Sequence, residues 1–410
     1  MKKRISSLFL ILVAVILASF TGYGLSYADT ATDVQLAEAS TEIAAGIFAG
    51  GSGTEADPWQ IATAEQLDSV RDYLDGFFVL TADIDLSGYE NWEPIGAFVP
   101  VSEEEEETPE LDLAFTGTFD GGNHKISNVH ILKETTEGVG LFGCVAGDQA
   151  SIKNLIVENV DVTGGMLVAG VVGYSQFTNT IDSVSLIGEN NITGGFLVGG
   201  IAGGGFSNIQ NCSADANVTL VGDGAQGIGI LAGGMETSSI IDSSATGTVT
   251  VTGDSSFSIG GLAGAVHEGQ TVEDCQADVV ITVGENNSMI GGLIGNAGTY
   301  DAENPTLISN ASVTAVINAP DSAERIGGLV GGGFYLNLYK EYRPVPTILK
   351  IVDGKTSGSI DGGMIVGTIA GYTYNDSIVE NSESTMTVNG ATDADQIGAT
   401  EETVGLDDLK

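Results

Sequence analysis

Eight short apolar runs, each closing on a glycine, recur along this 410-residue chain at nearly constant spacing. One of them reads Gly292-Leu293-Ile294-Gly295. Successive closing glycines are separated by 30, 30, 30, 31, 31, 36 and 40 residues. They are Gly143, Gly173, Gly203, Gly233, Gly264, Gly295, Gly331 and Gly371. A period of this size predicts a stacked solenoid, because a single repeat cannot bury its own apolar face.

Each repeat also contains a second strand pattern with a period of two. Residues Cys275, Ala277, Val279 and Ile281 share one face of such a strand. Small amide, acid or hydroxyl residues precede the corresponding inward positions, and we expect them to fix turns by bonding to neighbouring turns. They are Asn154, Ser183, Asn211, Asp242, Asp274, Asn310 and Asn381. The chain is therefore predicted to be all-β, a right-handed parallel β-helix, with glycines where φ is positive or where turns approach closely.

The ends of the chain differ from the repeats. Basic residues, an apolar run and Ser26-Tyr27-Ala28 predict a signal peptide over residues 1–28, a retained membrane anchor being the alternative. Residues 29–50 are expected to be a flexible lead-in, and residues 51–137 an N-terminal cap with the first coils. The capping box Thr63-Ala64-Glu65-Gln66 predicts a short helix there. Repeats follow over 138–396, and 397–410 is predicted to be a degenerate C-terminal cap.

Charge and cysteine content limit the partners. The chain has 13 Lys and Arg against 55 Asp and Glu, a net charge of −42. Such a charge repels nucleic acid and anionic lipid, so we expect no nucleic-acid binding. Because no second apolar stretch is long enough to span a bilayer, we expect no membrane insertion after signal cleavage. Calcium is a candidate counter-ion to which the sequence assigns no ligands. The three cysteines are Cys144, Cys212 and Cys275, and the repeat register predicts that they are buried, unpaired core residues.

The apolar runs resemble those of the GLUG-motif proteins, which occur as repeat domains in exported bacterial and archaeal surface proteins. The segments at 53–61, 80–86, 92–96 and 115–122 are similar to the usual N-terminal block of that family, whereas Ile230 and Thr368 replace the first motif glycine. Similar repeats precede the catalytic domain of some IgA-cleaving zinc metallopeptidases. Those enzymes use a His-Glu-x-x-His helix, which His124, His130 and His267 do not form. The resemblance implies a secreted or cell-surface, adhesin-like binding module.

The two longest repeats point to a candidate binding surface. Both are lengthened after the closing glycine, within residues 299–374, and therefore at one corner of adjacent turns. Tyrosine and basic residues are concentrated there, and exposed tyrosines suit contacts with sugars or proteins. The candidate ligand-binding residues are Tyr300, Tyr335, Tyr339, Tyr342, Arg343, Tyr372 and Tyr374. The expected partner is a glycan or protein on a host or neighbouring cell; alternatively, residues 334–342 plug the side of the helix.

The predicted function is non-enzymatic, with no catalytic residues, metal ligands or cofactor assigned. One alternative is a glycan-active enzyme, because parallel β-helices also include polysaccharide lyases and glycosidases. Asp83 and Asp85 share a strand face as a carboxylate pair would, although the sequence favours a turn or ladder role for them. A structural spacer is another. A third is an ice-binding threonine face, which the varying offsets from the closing glycines disfavour. Its residues would be Thr163, Thr193, Thr219, Thr250 and Thr282.

Overall fold

The computed structural model describes residues 46–98, 113–236, 238–267, 269–299, 303–335, 345–346, 348–374 and 376–401. The predicted signal peptide and nearly all of the lead-in lie outside these residues. From Phe48 onward the described residues belong to one compact unit. This unit is a parallel β-helix with one short α-helix, which confirms the predicted all-β class, while the handedness stays a prediction. No helix in the described ranges combines the length and apolarity needed to cross a membrane.

The strands are short and follow one another closely, although four of the longer ones continue around corners of the helix. Their bounds are Trp59–Ile61, Phe77–Leu80, Ile84–Asp85, Thr118–Asp120, Lys125–Val139, Phe142–Ala146, Ser151–Ala169, Val172–Ile187, Asn191–Gly194, Phe196–Gly199, Ala202–Gln210, Ser213–Leu220, Gln226–Ile228, Ala232–Glu236, Ile240–Ile241, Ser244–Val251, Phe257–Gly260, Ala263–His267, Thr271–Glu273, Gln276–Thr282, Ser288–Gly291, Ile294–Gly298, Thr306–Ser309, Ser312–Asn318, Glu324–Gly327, Val330–Gly332, Phe334–Tyr335, Val345–Pro346, Leu349–Val352, Lys355–Asp361, Val366–Gly367, Ala370–Tyr374, Ile378–Glu380, Glu383–Ser384, Thr387–Val388 and Ile397–Glu401.

A turn of the helix has four faces, which are numbered here from one turn. Face 1 is Gln276–Thr282, face 2 Ser288–Gly291, face 3 Ile294–Gly298 and face 4 Thr306–Ser309. Each strand pairs in parallel with the strands of the same face in the turns before and after it, so that Gln276 lies between Ser244 and Ser312. On face 1, alternate residues are buried, as the period of two predicts.

The apolar runs form the junction between faces 2 and 3, and their second residue enters the core. All eight of these side chains are fully buried. They are Leu141, Val171, Ile201, Leu231, Leu262, Leu293, Leu329 and Ile369. Stacked at the repeat distance of about 4.8 Å, they make a continuous aliphatic column that no isolated turn could form.

The closing glycines mark the closest approach between adjacent turns. A Cβ atom on Gly203 would lie 2.4 Å from the carbonyl oxygen of Gly173, and one on Gly233 would lie 2.4 Å from that of Gly203. None of the eight has a positive φ. Of the two roles expected for glycine, close packing of turns is therefore the one that these residues have.

Parallel pairing continues N-terminal to residue 138, where the first coils are expected, and C-terminal to residue 396. Ile95 pairs with Phe142, and the carbonyl oxygen of Gly96 lies 2.4 Å from where a Cβ of Gly143 would be. At the other end Ile397 pairs with Ala370, which places Gly398 next to Gly371. Gly398, which has the position of a closing glycine in the final turn, follows Gly371 by only 27 residues. The expected degenerate segment thus continues in register through Ile397–Glu401, because the final turn is shortened rather than lost.

The predicted polar ladder adopts a left-handed backbone conformation at every turn, with φ between 49° and 57°. Asparagine and aspartate tolerate this conformation better than other residues with a side chain. The side chains also link turns, since Asn211 Nδ2 donates to Asp182 Oδ1 at 2.9 Å and Asn154 Nδ2 donates to Asp120 Oδ1 at 3.0 Å. In the adjoining inward column, Cys212 and Cys275 are separated by one turn that carries Ser243. All three cysteines are buried and unpaired, as predicted.

The predicted N-terminal helix is confirmed as Ala64–Ser69, followed by a 3₁₀ turn, Val70–Asp72. Thr63 Oγ1 accepts a hydrogen bond from the Gln66 N–H, and the Gln66 side chain accepts one from Ala62 at 2.7 Å. These bonds satisfy backbone donors that the helix start leaves open. Leu67 and Val70 are fully buried. The helix therefore adds apolar side chains to the N-terminal end of the stack.

Replacing a closing glycine should destabilise the stack sharply. We expect Gly203→Ala to lower the free energy of unfolding by about 1–3 kcal/mol, because its methyl group would collide with the preceding turn. Gly88→Ala is the matched control, since a Cβ there meets no atom within 4 Å, and it should change stability by less than ~0.5 kcal/mol. Urea unfolding followed by circular dichroism measures both; equal stability of the two variants would contradict the close-approach role.

Candidate functional site

The two long repeats place their extra residues at one corner, between faces 3 and 4. In the first, the added residues lie between Ile294–Gly298 and Thr306–Ser309. In the next turn, Phe334–Tyr335 pairs antiparallel with Val345–Pro346 before face 4 resumes at Leu349–Val352. An antiparallel bridge between Thr299 and Ile348 joins the two inserted segments at their bases. The predicted common corner on adjacent turns is therefore present.

The structure describes only part of the predicted tyrosine surface. Four of the candidate residues, Tyr300, Tyr339, Tyr342 and Arg343, lie outside the described residues. The backbone of Tyr335 lies opposite Val345 at the base of the inserted strand pair. Tyr372 and Tyr374 are on the face 3 strand Ala370–Tyr374. The rings of these two tyrosines are 5.6 Å apart and nearly perpendicular, at 87°.

Arg325, which the sequence analysis did not single out, joins these tyrosines. Its guanidinium carbon lies 4.9 Å from the centre of the Tyr372 ring, within the range of a cation–π contact. Arg325 Nε is buried and has no hydrogen-bond partner among the described residues. The contact arises because Arg325 lies on face 2, which packs against face 3 at the junction marked by the closing glycines. Its backbone is left-handed, with φ of 58°.

The two tyrosines differ in exposure. Tyr374 is only 6% exposed, and burial raises its pKa while the charge of Arg325 opposes that rise. Tyr372 is half-buried. The expectation that both rings form an exposed surface therefore differs from the geometry: Tyr372 and Arg325 reach solvent, whereas Tyr374 packs beside them.

The seam where the left-handed position of face 2 meets the strand of face 3 carries apolar side chains in several earlier turns and a serine, Ser258, in one. Leu167, Leu197 and Met289 occupy the register position of Arg325 and share its left-handed backbone. The Leu197 side chain lies against Gly204 and Gly234 of face 3. A cavity of about 170 Å³ opens beside it. Along the helix, this seam thus changes from a leucine of face 2 packed on glycines of face 3 to an arginine of face 2 packed on a tyrosine of face 3.

The threonines of face 1 form an exact register ladder despite their varying offsets from the closing glycines. Thr163 pairs with Thr193, Thr193 with Thr219, Thr219 with Thr250, and Thr250 with Thr282. The offsets vary because the loops between faces differ in length. The objection that sequence spacing raised against a regular threonine column is therefore wrong.

Asp83 and Asp85, the carboxylates considered for catalysis, bind residues of the adjacent turn. Asp83 Oδ1 accepts from the Lys125 N–H at 3.1 Å and lies 3.2 Å from the His124 ring, and these contacts lower its pKa. The Asn128 side chain and the Ser87 N–H lower the pKa of Asp85. Both carboxylates are thus stabilised in the ionised form. Within the described ranges, no three His, Cys, Asp or Glu side chains are grouped so that they could hold a metal ion.

Comparison with known proteins confirms the resemblance to GLUG-motif proteins: the model of the GLUG motif matches residues 194–219. A Gly-rich membrane protein of Evansella cellulosilytica is 33% identical over 149 residues, which are 34% of this chain and 16% of that protein. Halomucin of Haloquadratum walsbyi is 33% identical over 150 residues, 35% of this chain and 2% of halomucin. The matched region thus spans a small part of each relative.

Among solved structures, an immunoglobulin A1 protease from Bacteroides ovatus is similar, with a TM-score of 0.52 and 22% identity. The similarity covers 68% of this chain and 85% of that one. At this identity it shows a shared fold and carries no information on activity.

The cysteine thiols should be unreactive in the folded protein. Burial raises the pKa of Cys144, Cys212 and Cys275 to about 12, so that very little thiolate forms at mildly alkaline pH. We expect iodoacetamide to modify none of the three in the native chain and all three in concentrated guanidinium, as counted by mass spectrometry. Free cysteine in the same reaction is the control. Rapid labelling of native protein would contradict the buried assignment.

Proposed function

We propose that this GLUG-motif β-helix is an exported, non-enzymatic surface module that binds a glycan or protein of a neighbouring cell in the manner of an adhesin. The acidic composition and the apolar N-terminal run with its predicted cleavage site support export. The two sequence relatives, one named as a membrane protein and the other as halomucin, support a location at the cell surface. The ligand-binding surface in this proposal is the corner formed by residues 299–374.

The observation that carries the proposal is the contact of Arg325 with Tyr372 beside the inserted segments. A guanidinium held against a ring by a cation–π contact keeps donors that suit recognition of a carboxylate or sulfate group. The chain has only 13 basic residues, so a positively charged group that could bind an anion is uncommon in it. An aromatic ring beside it supplies contact area for an apolar sugar face or side chain.

The location of the pair also favours ligand binding over a purely structural role. Both inserted segments follow face 3 strands, Ile294–Gly298 and Val330–Gly332, which belong to the two turns that precede the Tyr372 strand in the stack. Loops on a rigid repeat scaffold are common binding surfaces, since they vary without disturbing the stack. The sequence-based candidates Tyr339 and Arg343 belong to the longer of the two inserts and extend the proposed surface.

Variants at this corner test the proposal on an array of glycans and cell-surface proteins. We expect Arg325→Gln and Tyr372→Ala each to weaken binding to the recovered ligand by about tenfold or more, through loss of the charge or of the ring. Tyr339→Ala and Arg343→Ala should act in the same direction. Lys153→Ala, which removes a positive charge on face 4 of an earlier turn, outside residues 299–374, is the matched control and should bind normally.

The same assay separates the alternatives. Thermal unfolding of each variant shows that the stack is intact, and released product is measured for every ligand. Turnover of a bound glycan would favour the enzyme, and failure to bind any member of the array would favour the spacer. Normal binding by both Arg325→Gln and Tyr372→Ala would place the ligand elsewhere on the molecule.

A further inference from the structure

A second surface with the features of a binding site lies on face 1, away from the Tyr372 corner. A groove of about 560 Å³ crosses five successive turns, from Ser244 to Thr385. With strands about 4.8 Å apart, it runs for about 19 Å along the helix axis. Side chains from every turn line it, including Gln276, Asp278, Ser312, Thr314, Lys355 and Ser357. Its length and direction fit an extended polymer lying parallel to the axis.

Two positions beside the groove, Gly247 and Gly358, carry no side chain. Gly247 has φ of 130° and Gly358 has φ of 110°. A Cβ on Gly247 would lie 2.1 Å from the carbonyl oxygen of Ala216, and one on Gly358 would lie 1.9 Å from that of Ala315. Glycine is required at both positions, next in sequence to the lining residues Thr246 and Ser357. The depression beside them therefore cannot be filled from these positions.

The lining offers hydrogen bonds in a fixed arrangement. Ser357 Oγ donates to the Val313 carbonyl at 3.2 Å, and Thr314 Oγ1 lies 3.0 Å from Ser357 Oγ. Because the Ser357 hydrogen is already used, Thr314 is the donor in the second bond, and both oxygens keep acceptor capacity. Gln276 adds an amide with both donors and an acceptor. Ordered hydroxyl and amide groups of this kind complement the hydroxyls of a sugar chain.

Charge and backbone pairing restrict the class of ligand further. Asp278, Lys355 and Glu383 are the charged lining residues, and Lys355 lies opposite Glu383 in the ladder. The net charge of −42 disfavours acidic polymers and nucleic acid. Face 1 strands from Ser244–Val251 to Ser312–Asn318 are paired on both sides, so they offer no open edge to a peptide strand.

We propose that this groove binds a neutral polysaccharide, with several consecutive sugar units lying along the helix axis and hydrogen-bonded to Gln276, Thr314 and Ser357. The groove is independent of the Tyr372 corner, so it adds a second site to the proposed surface module. A chain that spans several turns gains affinity from many weak polar contacts, each fixed by the stack beforehand.

The test uses the full chain and measures binding of linear hexaoses of glucose, xylose and mannose by isothermal titration calorimetry. We expect at least one hexaose to bind, and the double variant Thr314→Val/Ser357→Ala to weaken that binding about tenfold through loss of two hydroxyls. Gln276→Ala, an exposed substitution, should weaken it also. Thr250→Val is the matched control: it removes an outward face 1 hydroxyl outside the groove and should bind as the parent does.

The outcomes separate this site from the corner. Arg325→Gln should leave hexaose binding unchanged, which supports an independent groove. If none of the three hexaoses binds, or if the groove variants bind as tightly as the parent and Thr250→Val, the proposal is overturned. Loss of binding in Arg325→Gln with retention in Thr314→Val/Ser357→Ala would overturn the groove and support the corner instead.

Discussion

The structure depends on one contact, the approach of backbone to backbone at the closing glycines. At Gly203 and Gly233 the preceding turn's carbonyl occupies the space in which a side chain would begin. This contact fixes the distance between faces 2 and 3 in every turn and sends the neighbouring aliphatic residue into the core. Because that junction cannot lengthen, variation in repeat length is confined to the other corners, and the largest insertions occur between faces 3 and 4.

The seam outside this junction shows how a rigid stack can vary in chemistry. The left-handed position on face 2 carries leucine at residues 167 and 197, serine at 258, methionine at 289 and arginine at 325. The facing positions vary with it, from glycine at 204 and 234 to tyrosine at 372. Side chains at this position therefore differ in size and polarity from turn to turn, while the backbone keeps the same left-handed conformation.

The sequence predicted the architecture well because the determinants are periodic. The closing glycines, the alternating strands and the polar ladder each recur at a regular spacing in the sequence. The capping box lies within four consecutive residues, so it can be recognised without knowledge of the rest of the fold. Gly398 was missed because the last turn is shorter than the period. The threonine ladder was undervalued because offsets from a glycine include loop length, whereas register depends only on strand pairing. Arg325 was missed because its contact with Tyr372 bridges two faces, a relation that strand patterns do not encode. The roles of Tyr300, Tyr335, Tyr339, Tyr342 and Arg343 stay predictions.

Stacking by nearest neighbours also determines how such a chain would respond to a pulling force. Each interior turn is paired through parallel strands with the turn before it and the turn after it, whereas a terminal turn has only one such neighbour. A terminal turn can therefore detach while the interior turns keep all their contacts. One repeat of 30 residues releases roughly 100 Å of extended chain when it detaches. The fold that presents a rigid surface at rest is, under load, an extensible tether that lengthens in discrete steps.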